Sequence, residues 1–425
     1  MRRPLLFLLG ALAMNAGAQP PLQLTLPDAE KLAVQNNPQF RSAQNTERAA
    51  QQVPAEVRSV LFPTVTGNVT GVGADAGSRL AAGALNNPIV YNRLASGVNL
   101  NQMVTDFGRT HNLVEAAKYR AQAQAQATET TREDILLETD RAYLTVLRDE
   151  AVLRVARETV SARQLVANQV GLLAQNQLRS SLDVSFAQVN LADAQLLLNN
   201  AQNDEQSARA ALATVLGLPT QTNIALTDLT ALEPMPSDIS ALVEEAIRKR
   251  PELADLRLEE NAAKSNAEAE RDLSRPTLSM VGVTGIVPAG DAQLPGRFGA
   301  LGLNLSIPIF NGGLFRARQR EAEYRARAAS DNVKDLENRI MRDVRVAVLN
   351  AQSAYERIGL TDKLLAQAKL ALDFATGRYK LGLSSIIELS QAQLNYTSAQ
   401  ISSSTARYDY QTQLAELRFQ AGSLH

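Results

Sequence analysis

His111 and His425 are the only imidazoles in this 425-residue chain, and cysteine is absent. The two histidines stand far apart, and the second is the last residue, so neither has a base or nucleophile beside it in the sequence. No nucleophile elbow, metal-spaced cluster or phosphate-cradling glycine loop is present. The glycine run GNVTGVGADAG (67–77) sits in a strand-and-loop pattern and does not open a helix, as a dinucleotide-binding turn must. Lacking Cys, the chain has no disulfide, thiolate nucleophile, zinc–thiolate site or acylated N-terminal cysteine. A formal net charge of −1 gives no basic footprint for nucleic acid. The expectation is a protein that is not an enzyme and carries no cofactor. One charge pattern remains: Arg316, Arg318, Arg320, Arg325 and Arg327 crowd the start of a helical stretch. They are either contacts for lipid phosphates or one solvated helix face.

The N-terminus reads as a signal peptide over residues 1–18. Arg2 and Arg3 precede an apolar run from Leu5 to Ala13, and Ala16-Gly17-Ala18 is a small-residue cleavage site. The run is too short to be a spanning anchor, and no later stretch of about 20 apolar residues exists. The expected mature chain is exported and has no membrane-spanning helix.

The middle of the chain repeats itself. VNLNQMVTDFG (98–108) and LNLSIPIFNGG (303–313) both run from a strand pattern through a turn into a long helix. Asn99 and Asn304, Gly108 and Gly313, Tyr119 and Tyr324, and Asn190 and Asn395 are each 205 positions apart. Upstream, Pro38 and Pro251, and Pro63 and Pro276, are 213 apart, so the first copy carries an insertion between Pro63 and Asn99. Fixed-offset self-similarity is the mark of tandem units. The reading is a first repeat over 19–217, a linker over 218–237 rich in Pro and Thr, and a second repeat over 238–425.

Each repeat has the same order. A short helix (Ala29 to Gln35; Ile239 to Lys249) is followed by a second helix begun by Pro38 or Pro251, where a missing N–H costs nothing. That helix is expected to stop at Pro63 or Pro276, because proline disfavours helix at the residue before it. Strands are expected near 63–72 and 94–105, then near 276–285 and 298–310. The clearest is the last, where Leu301, Leu303, Leu305, Ile307 and Ile309 alternate with Gly302, Asn304, Ser306 and Pro308. Long helices follow over 109–176 and 182–216, then 314–380 and 387–420. The first, at 1.5 Å per residue, runs on the order of 100 Å. Ala187, Leu191, Ala194, Leu198 and Ala201 fall at coiled-coil spacing with many small residues. Taken alone, such helices suit an ordinary coiled coil equally well.

Strands of this length match a tilted membrane crossing. Four strands cannot close a barrel, and lipid does not tolerate an open sheet edge. Copies from two or three chains are the geometric expectation. Phe62, Phe107 and Phe310, all at strand–helix boundaries, are either an interfacial girdle or ordinary junction packing.

The tandem repeat, the Pro63 and Pro276 boundaries, the strand ends TDFGR and IFNGG, and the tips NQLRSSLDVSFAQ and GRYKLGLSSIIELSQAQ together resemble the TolC-like outer-membrane efflux protein family. The resemblance covers nearly the whole mature chain. It implies a mixed α/β membrane protein in the bacterial outer membrane. A homotrimer would build one twelve-stranded β-barrel, four strands per chain, continuous with a long periplasmic α-helical coiled-coil barrel. The implied function is the channel-tunnel of a tripartite efflux or type I secretion system. Its partners would be a periplasmic adaptor (membrane fusion protein), an inner-membrane transporter and outer-membrane lipid. Pro63, Gly108, Pro276, Gly312 and Gly313 would mark the strand-to-helix junctions. The rival from another class is a periplasmic coiled-coil adaptor or structural protein.

The resemblance also implies a gate at the periplasmic tips. Tyr379 matches a gating tyrosine, Asp183 its acidic partner, and Glu388 an acidic-ring position. Two positions depart from the pattern: Ser384 replaces an expected arginine, and Gln391 an expected second acidic ring. The implied gate is more weakly latched and its entrance less cation-selective. Asp183 also suits a helix N-cap, and Glu388, Tyr379 and Ser384 suit a solvated helix face.

Overall fold

The computed structural model describes residues 22–78, 89–220, 222–228, 232–236 and 238–424. The expected signal peptide, part of the 73–93 loop, part of the 218–237 linker and His425 lie outside the described residues. The chain divides into two compact units. One comprises Met1–Asn37, Ile135–Ser237 and Ala347–Leu417; the other comprises Pro38–Asp134, Asp238–Val346 and Arg418–His425.

In chain order the elements are β1 (Leu22–Leu24), α1 (Leu26–Asn36), α2 (Pro38–Ala50), α3 (Val53–Arg58), β2 (Thr64–Val72) and β3 (Arg93–Thr105). Next come α4 (Arg109–Gln175), α5 (Ser181–Val215), β4 (Ile224–Leu226), α6 (Ile239–Lys249) and α7 (Pro251–Arg271). The chain ends with β5 (Thr277–Gly290), β6 (Arg297–Ser306), α8 (Leu314–Lys380) and α9 (Ile386–Gln420). The two longest helices have 67 residues each, and the helices that return from them have 35 each.

Within the first unit, β1 pairs in parallel with β4. The buried Tyr143 hydroxyl ties this ribbon to α4: it lies 2.7 Å from the Thr227 carbonyl and 3.0 Å from that of Leu24, and it accepts from the Thr227 N–H at 3.1 Å. The sequence reading treated 218–237 as linker, and it could not see β4 because three residues show no period. Both long hairpins turn in the same way. Gln177 (φ +59°) and Gly382 (φ +73°) adopt the left-handed conformation. The N–H of the next residue then reaches back to the carbonyl of Leu173 (2.9 Å) or Arg378 (2.8 Å). This is the Schellman closure, which satisfies the last carbonyls of a helix.

Within the second unit, β2, β3, β5 and β6 form one antiparallel sheet in that order. Residues directly opposite share a face, so the register sorts the side chains. One face is mainly apolar, with Val65, Val69, Val98, Leu100, Met280, Leu301 and Leu303, though Ser96, Gln102 and Thr284 share it; the other carries Thr64, Thr66, Asn68, Asn99, Asn101 and Asn304 together with Val281, Val283 and Phe298. Leu301 and Leu303 are among the most exposed leucines of the chain.

Several expected boundaries move. The second helix of the first repeat is not continuous to Phe62; it breaks into α2, α3 and a 3₁₀ turn over Ser59–Leu61. Pro54 lacks the N–H needed to bond back into α2. The second copy has no such proline, and α7 runs unbroken for 21 residues. β6 stops at Ser306 rather than 310, because Pro308 cannot donate to a ladder. β5 extends to Gly290 rather than 285.

Candidate functional site

The candidate gate residues lie beside the two tip turns of the first unit: Asp183 on α5, Tyr379 on α8, Glu388 and Gln391 on α9, and Ser384 in the turn between α8 and α9. Tyr379, at the end of α8, is 6% exposed and packs in a cluster with Val170, Ala187, Ala375, Ile386 and Leu389. Its hydroxyl is buried and has no hydrogen-bond partner. Burial raises its pKa, with Arg179 pulling the other way. Arg179 donates from Nη2 to the Tyr379 carbonyl at 2.6 Å and lays its guanidinium 4.2 Å over the ring. Cation–π contact and a charge-assisted hydrogen bond therefore act on one residue.

Asp183 is not the N-cap of α5. Ser180 is the cap, and Asp183 closes a capping box three residues later, accepting from Ser180 N (3.1 Å) and Ser180 Oγ (3.0 Å). Its carboxylate is thus occupied locally, and within one chain it makes no hydrogen bond to the Tyr379 hydroxyl. Glu388, 205 positions on from Asp183, takes the matching place in α9: its N–H reaches Ser385 Oγ at 3.4 Å. Its exposed carboxylate pairs with Arg378 Nε at 3.3 Å. Gln391 bonds along its own helix to Asn395 at 3.0 Å. The Ser384 hydroxyl is buried with no partner.

Sequence reading missed Arg179, although the repeat points to it. Arg179 occupies in the first tip the place that Ser384 occupies in the second, 205 positions apart. The arginine that the second tip lacks therefore stands in the first, and it reaches Tyr379 from there.

The junction residues sit in the second unit. After β3, Phe107 (φ +54°) and Gly108 (φ +119°) turn the chain; after β6, Gly312 (φ +63°) and Gly313 (φ +86°) do the same. Asp106 accepts from Thr110 N at 2.7 Å and Gly108 N at 3.3 Å, capping α4. Asn311 accepts from Gly313 N at 3.2 Å. A Cβ on Gly108 would come 3.1 Å from Asp272 Oδ2 and 3.3 Å from Arg275 Nη1, so glycine is needed both for its φ and for space. The buried Asp272 also takes hydrogen bonds from Asn112 (2.9 Å) and pairs with Arg275 (3.1 Å), which itself donates to the Phe107 carbonyl. Pro63 and Pro276 directly precede β2 and β5. Phe62 and Phe107 are exposed, and Phe310 is 90% exposed. In the arginine cluster, Arg318 pairs with Glu270 at 3.0 Å, Arg325 with Glu321 at 2.6 Å, and Arg327 stacks on Tyr324.

Among the described residues, no group of three or more His, Asp or Glu side chains is placed to hold a metal ion. None of the described helices is long and apolar enough to cross a membrane.

A four-stranded sheet with one apolar face, together with paired long hairpins, is the protomer fold of solved outer-membrane channels. The Campylobacter jejuni CmeC outer membrane channel superposes with a TM-score of 0.82 at 18% identity, over 94% of this chain and 85% of that one. The chain belongs to the outer membrane efflux protein family, whose model matches residues 30–218 and 242–423. The alkaline protease secretion protein AprF of Pseudomonas aeruginosa is 26% identical over 100% of this chain and 89% of its own length. The outer membrane efflux protein BepC of Brucella suis is 25% identical over 92% of this chain and 84% of its own.

Proposed function

We propose that three copies of this chain close one outer-membrane pore of twelve strands, with the long hairpins forming a periplasmic tunnel that continues it. The observation that carries this is the sheet. Its strands β2 and β6 have unpaired edges, and one of its faces is predominantly apolar, with Val, Leu, Ile or Met on every strand. Lipid tolerates neither an open edge nor a polar surface, so the edges close on further copies, the apolar face meets lipid and the Asn/Thr face meets water. A soluble coiled-coil adaptor has no use for such a sheet.

The tips then form the periplasmic entrance, where a periplasmic adaptor and an inner-membrane transporter deliver cargo. Arg179 holds Tyr379 in the closed arrangement, and three Glu388 carboxylates make a cation-attracting ring. The arginines at the start of α8 lie near the inner lipid surface, with Arg318 and Arg325 already paired to carboxylates.

Single-particle electron microscopy of the detergent-purified mature chain tests the assembly. The expected particle is a threefold cylinder with one β end and a helical shaft. Particles without threefold symmetry, or single elongated chains, overturn the trimer. The carbonate-extraction behaviour of native membranes gives an independent check: a barrel stays with the membrane and leaves only with detergent.

A further inference from the structure

Next to the tip cluster, the first unit holds a groove of about 600 Å³ between α4, α5 and α9, whose tip-proximal end includes Gln391. Its walls are apolar at Phe186, Leu197, Leu394 and Ile401, and its rim is polar at Asn190 and Ser398. Arg163 of α4 lines it, and Arg163 also lines a second cavity of about 170 Å³ between α4, α8 and α9. Arg163 therefore belongs to the wall that the two spaces share.

Arg163 is 7% exposed, and its Nη1 is buried without a hydrogen-bond partner. Asp193 of α5, which also lines the groove, supplies the opposing charge without forming an ion pair. Burial draws the Arg163 pKa down to about 10, which leaves it cationic at neutral pH. A buried guanidinium with a free N–H is costly, and the cost falls sharply when an acceptor arrives. The repeat shows that this is not a requirement of the fold. The places equivalent to Arg163 and Asp193 in the second copy, 205 positions on, hold Ala368 and Ser398. A small residue serves there, and Ser398 itself lines the groove beside Arg163.

A fork of donors set among apolar walls selects for a particular chemistry. The guanidinium matches a carboxylate in geometry and charge. Phe186, Leu394 and Ile401 offer contact to a hydrocarbon or aromatic body. The volume lies in the range of small-molecule sites. We propose that Arg163 and this groove form a binding site for molecules that join a carboxylate to an apolar body.

The test is isothermal titration calorimetry on the detergent-purified full chain with 2-naphthoate as probe. Saturable binding at one site per chain is expected, weakened at least tenfold in Arg163→Gln and partly kept in Arg163→Lys. The neutral 2-naphthalenemethanol is expected to bind at least tenfold more weakly than the carboxylate. Ser398→Phe fills the groove while leaving Arg163 in place, so its loss of binding carries the test if Arg163→Gln fails to fold. Circular dichroism verifies folding in each variant. The assignment is overturned by absence of saturable binding to the wild type, by equal affinity in Arg163→Gln, or by equal affinity for the alcohol. Acetate binding as tightly as naphthoate overturns the role of the apolar walls. The readout needs no conduction through the pore, so a negative result leaves the channel reading standing.

Discussion

Arg179 and Ser384 occupy equivalent places in the two tips, and this exchange sets how Tyr379 is held. The guanidinium reaches the Tyr379 carbonyl and covers its ring, so removing it frees both backbone and side chain at the end of α8. Arg179→Ala is expected to raise single-channel conductance in planar bilayers severalfold, with Arg179→Lys intermediate because lysine keeps charge but not the planar fork. Conductance unchanged in Arg179→Ala would remove Arg179 from the gate. The candidate gate was legible only through family likeness. Nothing in the spacing of Asp183, Tyr379 and Glu388 brings them together, and the carboxylate of Asp183 proved to serve its own helix start. Arg179 was readable from the repeat but lies in a turn, where no period draws attention to it. A second residue-scale prediction concerns Glu133 of α4, which is buried beside Glu129, Arg132, Arg250 and Glu252 and whose pKa desolvation lifts from 4.5 to about 7. A carboxyl raised in the folded state favours the protonated form. The stability it supplies is full below pH 4.5 and is lost as pH rises through 7. The shift is worth on the order of 3 kcal/mol. Glu133→Gln should raise the melting temperature at pH 8 and leave it nearly unchanged at pH 4.5; equal melting shifts at both values would sink the assignment.

At the scale of elements, punctuation matters more than propensity. Pro38 and Pro251 start α2 and α7 at the places expected of them, since their missing N–H falls among the unbonded donors of a first turn. Pro54, which falls inside the expected helix, and Pro308, which falls inside the expected strand, interrupt those runs, because each leaves a backbone acceptor without its donor. The alternation from Leu301 to Leu305 marked β6 plainly, whereas β1 and β4, three residues each, are too short to show any alternation. Their pairing depends on contacts made across more than 200 positions. The two Schellman turns offer a test at this scale. Gly382 adopts its left-handed conformation without a Cβ penalty, while Gln177 adopts the same conformation with one. Gln177→Gly is expected to stabilise the first tip by about 1 kcal/mol, and Gly382→Gln to destabilise the second by a similar amount. Hydrogen exchange of the amides at the ends of α4 and α8 would report both. Opposite signs would show that side-chain contacts, not backbone conformation, fix the turns.

At the scale of the molecule, the sheet assigns each strand residue a solvent before any assembly is considered. Leu303 and Asn304 are neighbours in β6, yet the register puts Leu303 with Met280 and Asn304 with Ser279, on opposite faces. If Leu303 meets lipid and Asn304 meets the water of a shared pore, the same substitution at the two positions must have different consequences. Leu303→Arg places a guanidinium against hydrocarbon, at a cost of about 2–4 kcal/mol near the bilayer midplane and less toward its edges. Three copies would incur it together, so the yield of heat-resistant, membrane-inserted trimer should fall steeply. Asn304→Arg keeps the charge hydrated and should insert normally. It would add a ring of three positive charges to the pore and shift the reversal potential toward anions under a salt gradient. Insertion yield read on native gels and reversal potential read in planar bilayers separate the two effects. If Asn304→Arg blocks insertion while Leu303→Arg does not, the faces are reversed and the barrel cannot close as proposed. If both insert equally well, the sheet does not cross the membrane, and the apolar face must be covered by protein.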